Sequence, residues 1–342
     1  MDSEMNSWVC EKPGVLQKQR IAIPTPGAGE VLIRMRALGI CGSDVHAFHG
    51  DQPMFNYPKV MGHEVCGEVV SCGEQVQGMK PGQMVIVIPY KHCGRCYACR
   101  RGRTTCCTSL SVLGVHFHGA MQEYIVMDVA QLLVVEDIDA QDAALIEPYA
   151  IGAHALSRSG ATEKDTLLVV GAGAIGLGIA DIAVALGIRV ILAEVNEQRL
   201  EQAKQRFGFM ETLNPQSPNY AAELLALTEG DGPGVIIDAT GNAASMNSQF
   251  AHLAASGTIV FVGLHKGDVN FTDLIFHKRE TTLHGSRAAT IEDFKLVIRL
   301  MAEKRIHPHC MRDNVLTFDQ LSQAKFSDLI QPTNTKSVIT FE

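Results

Sequence analysis

Three residues of this chain have the types and the setting to do chemistry together: Cys41, His63 and Glu64. They lie in GICGSDVHAFHG and PKVMGHE, beside glycines that let the backbone bend. A thiolate, an imidazole and a carboxylate form a mixed N/S/O donor set that suits zinc. Three protein ligands with an open fourth position describe a catalytic metal rather than a structural one. A second group follows the spacing C-x2-C-x2-C-x7-C through Cys93, Cys96, Cys99 and Cys107. Four thiolates complete a tetrahedral zinc site and leave no open position, so this group reads as structural. The bacterial ferredoxin run differs in having three residues before its fourth cysteine and a proline after it. Cys106, next to Cys107, competes for the fourth place.

A third chemistry-bearing stretch is Gly171-Ala172-Gly173-Ala174-Ile175-Gly176, directly after the apolar run Thr166 to Val170 and before an apolar helix that ends at Gly187. In that context the glycines allow a tight turn and let the backbone approach a pyrophosphate at the helix N-terminus. The next strand, Arg189 to Ala193, ends at Glu194. A carboxylate there accepts both ribose hydroxyls of an adenosine and repels a 2′-phosphate, which favours NAD over NADP. Arg199 lies close enough to work against that preference.

The elements that must position these groups fall into two domains, as 342 residues allow. The first half is β-rich: 31–37, 68–70 and 84–88 read as strands, with Pro81-Gly82 turning the chain, and short strands with Gly-rich turns suggest a barrel. The second half alternates strand and helix, as in an α/β doubly wound parallel sheet. Val235 to Ile237 leads into Asp238-Ala239-Thr240-Gly241, a helix runs from Met246 to Ala255, and 258–262 is the next strand. Gly263-Leu264 and Gly285-Ser286-Arg287 fall at strand ends, where such sheets bind ligands. Thr290 reads as an N-cap with Glu292 and Asp293 in the first turn, ahead of an apolar face of Phe294, Val297, Ile298 and Met301. The net charge of −8 argues against a nucleic-acid partner. No apolar run is long enough for a membrane span, and the start has no secretory pattern. Ten cysteines, four of them in one metal-like run, fit a reducing cytoplasm better than disulfides.

Cys41-Gly42-Ser43-Asp44 with His46, then Gly62-His63-Glu64-x2-Gly67-x5-Gly73, resembles the signature of the zinc-containing medium-chain alcohol and polyol dehydrogenases, and the resemblance covers nearly the whole chain. It implies a chaperonin-like (GroES-like) β-barrel catalytic domain over 1–155 and 291–342, a structural-zinc lobe at about 90–110, and a Rossmann domain over 156–290. It implies two zinc ions per subunit, with Cys107 as the fourth ligand of the structural one. Ser43 and His46 would form a hydroxyl–imidazole proton relay, and Asp44 would hydrogen-bond the metal-bound His63. The Glu147-Pro148 pair resembles the sorbitol and threonine dehydrogenase branch, where the carboxylate faces the catalytic metal; whether Glu64 or Glu147 is the resting ligand stays open. The nicotinamide half of NAD is expected near Leu264, Ser286 and Arg287, with Thr240 and Val262 also at the cofactor and Arg199 against the adenine. A small-molecule substrate and a homodimer or homotetramer follow from the same resemblance.

Several stretches are similar to one bacterial subgroup, the L-galactonate 5-dehydrogenase-like oxidoreductases: GDQPMFNYPKVMGHEVCGE, VIPYKHCGRCYACRRGRTTCC, SVLGVHFHG and FVGLHKGDVNFTDLIFHKRETTLHGSRAAT. The reaction implied is oxidation of a secondary hydroxyl of a hexonate to a keto acid. Arg287, Lys278 or Lys266 would supply the counter-charge to its carboxylate. Ala120-Met121-Gln122 departs from the family's usual Gly-aromatic-small sequence. Oxidation of a polyol or of L-threonine is the alternative, and an NAD-binding sensor without catalysis would keep every motif.

Overall fold

The first unit is built around the strand Glu30–Ile40, whose apolar residues Val31, Ile33, Met35 and Leu38 are buried. The structure, a computed structural model, describes residues 3–329 and 334–342. Two compact units divide the chain: Met1–Glu147 with Met311–Glu342, and Pro148–Cys310.

In the first unit Glu30–Ile40 pairs antiparallel with Glu64–Cys72 on one side. On the other side it pairs with Tyr124–Asp128 along its first half and with Lys336–Thr340 along its second. These strands belong to a seven-stranded sheet that closes over a core including Ile33, Met35, Leu38, Met61, Val65 and Met121. An antiparallel pair, Glu4–Lys12 and Val15–Ala22, adds a smaller sheet that the sequence patterns did not announce.

The second unit holds a six-stranded parallel sheet. Its order is Thr212–Leu213, Arg189–Ala193, Thr166–Val170, Val235–Asp238, Thr258–Phe261, Thr282–Gly285. Reading outward from Thr166–Val170, the chain winds first one way and then the other, the doubly wound arrangement that binds nucleotides at the strand C-termini. The helix Ala174–Ala185 follows the glycine-rich turn.

Helix Ile291–Ala302 belongs to this second unit, whereas the domain boundary read from the sequence assigned it to the barrel. Its apolar face explains the difference, because Phe294, Val297, Leu300 and Met301 are buried within the dinucleotide unit. Ile298 is only half-buried. The Thr290 cap forms as expected, in a reciprocal box with Asp293. Asp293 Oδ2 accepts from the Thr290 N–H at 2.8 Å, the Thr290 hydroxyl at 2.7 Å and His154 Nδ1–H at 2.8 Å. Burial pushes the carboxyl up, but these donors outweigh it and hold it below the ordinary carboxylate value. A carboxyl depressed in the fold stabilises above its unfolded pKa, and the contribution is lost as pH falls through the folded value. Asp293→Asn is therefore expected to cost about 1–2 kcal/mol near neutral pH. Denaturant melts should show the gap to wild type narrowing below about pH 4; a gap independent of pH would refute the assignment.

Among the described residues no helix is long and apolar enough to cross a membrane.

Candidate active site and dinucleotide cradle

Helix Gly42–His49 starts at Cys41, its N-cap, and Asp44 closes the first turn by accepting the Cys41 N–H at 3.0 Å. The other Asp44 oxygen accepts the Gly62 N–H at 3.0 Å, so one buried carboxylate ties the turn carrying Cys41 to the residue before His63. Asp44 Oδ1 lies 3.9 Å from His63 Nδ1, too far for the hydrogen bond expected between them. The backbone amides take both carboxylate oxygens instead.

Sγ of Cys41, a ring nitrogen of His63 and a carboxylate oxygen of Glu64 lie within 4.8 Å of one another. His63 Nδ1, Glu64 Oε2 and Glu147 Oε2 are buried with no hydrogen-bond partner. Buried polar atoms are nearly always partnered; His63 Nδ1 faces Asp44, whereas orphaned oxygens on two carboxylates beside a thiol and an imidazole are what a zinc site would satisfy. The residues therefore fit the metal. Burial alone would push the His63 imidazole down, but Cys41, Asp44 and Glu147 around it reverse this and hold it well above its usual value. Burial pushes the Asp44 and Glu147 carboxyls up, which is the cost of gathering acidic groups that a cation at the centre would offset.

Two partners of these carboxylates carry no motif in the sequence. Tyr90 donates its hydroxyl to Glu147 Oε1. Burial, then the Glu147 charge and this hydrogen bond, push the phenol well above its ordinary range. Lys336 Nζ donates to Glu64 Oε1 at 2.6 Å and to the Ile40 carbonyl at 3.3 Å. Both members of that ion pair are buried, at 4% and 0% side-chain exposure. Strand register brings them together: Gly39 pairs with Glu64 on one side and with Val338 on the other, and Ile40 pairs with Ser337. A Cβ on Gly39 would sit 2.0 Å from Glu64 Oε2, so only glycine leaves room for that carboxylate.

Ser43 and His46 lie on the same short helix, three residues apart, which places them on one face. His116 Nδ1 accepts the Val112 N–H at 3.1 Å, and His118 Nδ1 accepts that of Val60 at 3.2 Å, both tying loops together.

Cys93, Cys96, Cys99 and Cys107 bring their sulfurs within 4.8 Å of one another, and Cys106 stays outside, exposed. Backbone N–H groups point at the sulfurs: Cys93 to Cys107 at 3.2 Å, Cys96 to Cys93 at 3.4 Å, Ser109 to Cys107 at 3.3 Å. Hydrogen bonds from the Cys99 and Thr108 amides pull the Cys96 thiol down to about 5. Burial and the adjoining sulfurs push Cys99 up to about 12. Cys96→Ser is expected to remove one of two bound zinc ions and expose Lys91 to Arg103 to trypsin. Metal analysis showing both ions retained would refute a metal-holding role for Cys96.

In the second unit Gly171, Gly173, Glu194, Arg199 and Thr240 line one cavity of about 590 Å³. Gly171 takes φ +100°, and a Cβ on Gly176 would lie 1.8 Å from the Gly171 carbonyl oxygen. Gly173 is the N-cap of the helix that begins at Ala174 and Ile175. The Glu194 carboxylate accepts the Ala172 N–H at 2.8 Å and the Asn196 N–H at 2.9 Å, with Arg199 at 3.9 Å. It thereby steadies the glycine-rich turn as well as the cavity wall. Asp238, fully buried, anchors Thr240 by accepting its N–H at 2.8 Å and its hydroxyl at 2.6 Å. Val262, Leu264, Ser286 and Arg287 follow the ends of the next two strands and do not line this cavity.

Comparison with known proteins agrees with this geometry. Residues 27–137 match the alcohol dehydrogenase GroES-like domain, and residues 174–303 match the zinc-binding dehydrogenase family. The chain is 45% identical to an L-galactonate-5-dehydrogenase of Escherichia coli K12 over 99% of its length and 100% of the relative's. An alcohol dehydrogenase, RspB, of Escherichia coli CFT073, solved with NADH, superposes with a TM-score of 0.91 at 33% identity, covering 99% of this chain and 100% of that one. A zinc-binding dehydrogenase of Sinorhizobium meliloti 1021, solved with NADP, gives 0.91 at 27% identity, with 99% and 100% covered. Metal-donor geometry, dinucleotide cradle and end-to-end similarity together place this chain in the zinc-containing medium-chain dehydrogenase family, as an alcohol-type dehydrogenase acting on a small molecule.

Proposed function

We infer that the protein oxidises a secondary hydroxyl of a hexonate, such as L-galactonate, to the keto acid, with NAD as hydride acceptor. The observation that carries this reading is the full-length 45% identity to an L-galactonate-5-dehydrogenase. Cys41 and His63, with Glu64 or Glu147, would hold the catalytic zinc, and Cys93, Cys96, Cys99 and Cys107 the structural one. Zinc supplies a Lewis acid that makes a bound hydroxyl easier to ionise. The chain's own part is to fix and neutralise the surroundings. Lys336 and Tyr90 restrain the two glutamates, Asp44 locks the Cys41 turn to the His63 loop, and Ser43 with His46 carries the proton away. Glu194 supports NAD over NADP, because a fixed carboxylate in that cavity repels a 2′-phosphate. Arg287, Lys278 and Lys266, all exposed, are the cations proposed to meet the substrate carboxylate. The subunits are proposed to associate as a homodimer or homotetramer, which light scattering would measure.

Zinc-loaded protein should form NADH from L-galactonate faster than from sorbitol, galactitol or L-threonine, and should prefer NAD to NADP. Turnover of polyols alone would discard the sugar-acid assignment. NAD binding without turnover of any alcohol would favour a sensor.

A further inference from the structure

Helix Gly42–His49 ends in a left-handed glycine, and that turn has a chemical consequence. Gly50 takes φ +89° and caps the helix, with its N–H directed at the His46 and Ala47 carbonyls. The Asp51 N–H donates to the His46 carbonyl at 3.0 Å, the six-to-one bond of a Schellman turn. A Cβ on Gly50 would meet Pro13 at 2.8 Å, so the position requires glycine for its backbone angle and for space. Tyr57 donates its hydroxyl to the Ala47 carbonyl, which ties the following segment to the same helix end.

Folded back in this way, the Asp51 carboxylate faces the His46 ring, with its two oxygens 2.9 and 3.0 Å from Nδ1. An ionised carboxylate only accepts, so Nδ1 carries the hydrogen and Nε2 of the neutral ring keeps a lone pair. The His46 side chain is 61% exposed, so a proton taken up there can pass to water.

We propose that Asp51 is the positioning residue that sets His46 to accept the substrate proton through Nε2. This rests on the dehydrogenase reading above. In one oxidation the substrate hydroxyl gives its proton to the Ser43 oxygen as the Ser43 proton passes to Nε2. Bound NAD would accept the carbinol hydride, and the imidazolium releases its proton to solvent. The sum is alcohol plus NAD⁺ giving ketone, NADH and H⁺. Without Asp51 the ring samples both tautomers and turns freely, and fewer rings present a lone pair toward the helix face that holds Ser43.

Two measurements test this on the full-length protein. Long-range ¹H–¹⁵N spectra of ¹⁵N-histidine-labelled protein, with His46 assigned through His46→Gln, should show the Nδ1–H tautomer in wild type and a mixture in Asp51→Asn. An Nε2–H ring in wild type overturns the proposal whether or not any alcohol is oxidised. Kinetics on the zinc-loaded enzyme should show kcat of Asp51→Asn lower by about tenfold. They should also show a larger solvent deuterium isotope effect, recovery on adding imidazole, and near-normal activity in Asp51→Glu. Unchanged kcat and isotope effect in Asp51→Asn would also overturn it. If wild type oxidises no alcohol on the panel, the function reading fails, and the tautomer spectra still decide the role of Asp51.

Discussion

Cys41→Ser is expected to lower alcohol oxidation by roughly three orders of magnitude or more, since Lewis-acid assistance is a term of several kcal/mol and each 1.4 kcal/mol is about tenfold. The reason is local. Cys41 is the N-cap of its helix and its sulfur lies within 4.8 Å of the His63 and Glu64 donor atoms, so the substitution removes one donor and leaves the turn in place. Serine keeps an acceptor for the helix start, and the Asp44 bonds to the Cys41 and Gly62 amides involve main chain only at those residues. Metal analysis should find the four-cysteine ion retained and the other lost, while calorimetric titration finds NAD affinity unchanged. Full activity with one zinc ion per chain would sink the assignment of the catalytic site.

Lys336→Met should have the largest effect on stability of any single substitution considered. It leaves Glu64, with no exposed surface, as a buried carboxylate without its ammonium partner. Removing one member of a buried ion pair costs about 3–5 kcal/mol, on the order of 10 °C in melting temperature for a unit of this size. Lys336→Arg keeps the charge and should recover part of the loss. The melts are best compared in chelator and in excess zinc: a freed Glu64 can turn toward a bound metal, so zinc should rescue the variant more than it stabilises wild type. Equal melting temperatures for the variant and wild type in chelator would show that the pair contributes nothing to the fold. A Gly39 substitution should act on the same carboxylate from the opposite side, since a methyl group there would overlap Glu64 Oε2.

Much of the fold was legible because its signals are local. The strand 166–170, the glycine turn after it and the strand 189–193 read correctly to the residue, since a buried parallel strand and a phosphate-binding turn each leave a continuous pattern. The Thr290 cap was legible for the same reason. The cysteine knuckle was legible from spacing, because it holds its ligands within one short loop, whereas the choice of Cys107 over Cys106 came from the family resemblance. Less local features were misread. The helix Ile291–Ala302 was assigned to the wrong unit because amphipathic spacing tells that a face is buried but not against what. Asp44 was expected to bond His63, and the competing use of its oxygens by two main-chain amides has no sequence signature.

By itself the sequence determined which residue types stand at metal-donor and phosphate-turn positions, because ligand spacing within a loop and strand–turn–helix order are short-range properties of the chain. Only the tertiary structure decided what surrounds them. Lys336 reaches Glu64 across 272 positions through the two registers on either side of Gly39 and Ile40. Tyr90 reaches Glu147 from 57 positions away. Asp51, by contrast, turns onto His46 through a local glycine cap of its own helix. Strand pairing is set by the packing of the whole unit, so the distant partners that tune these groups appear once the chain is folded.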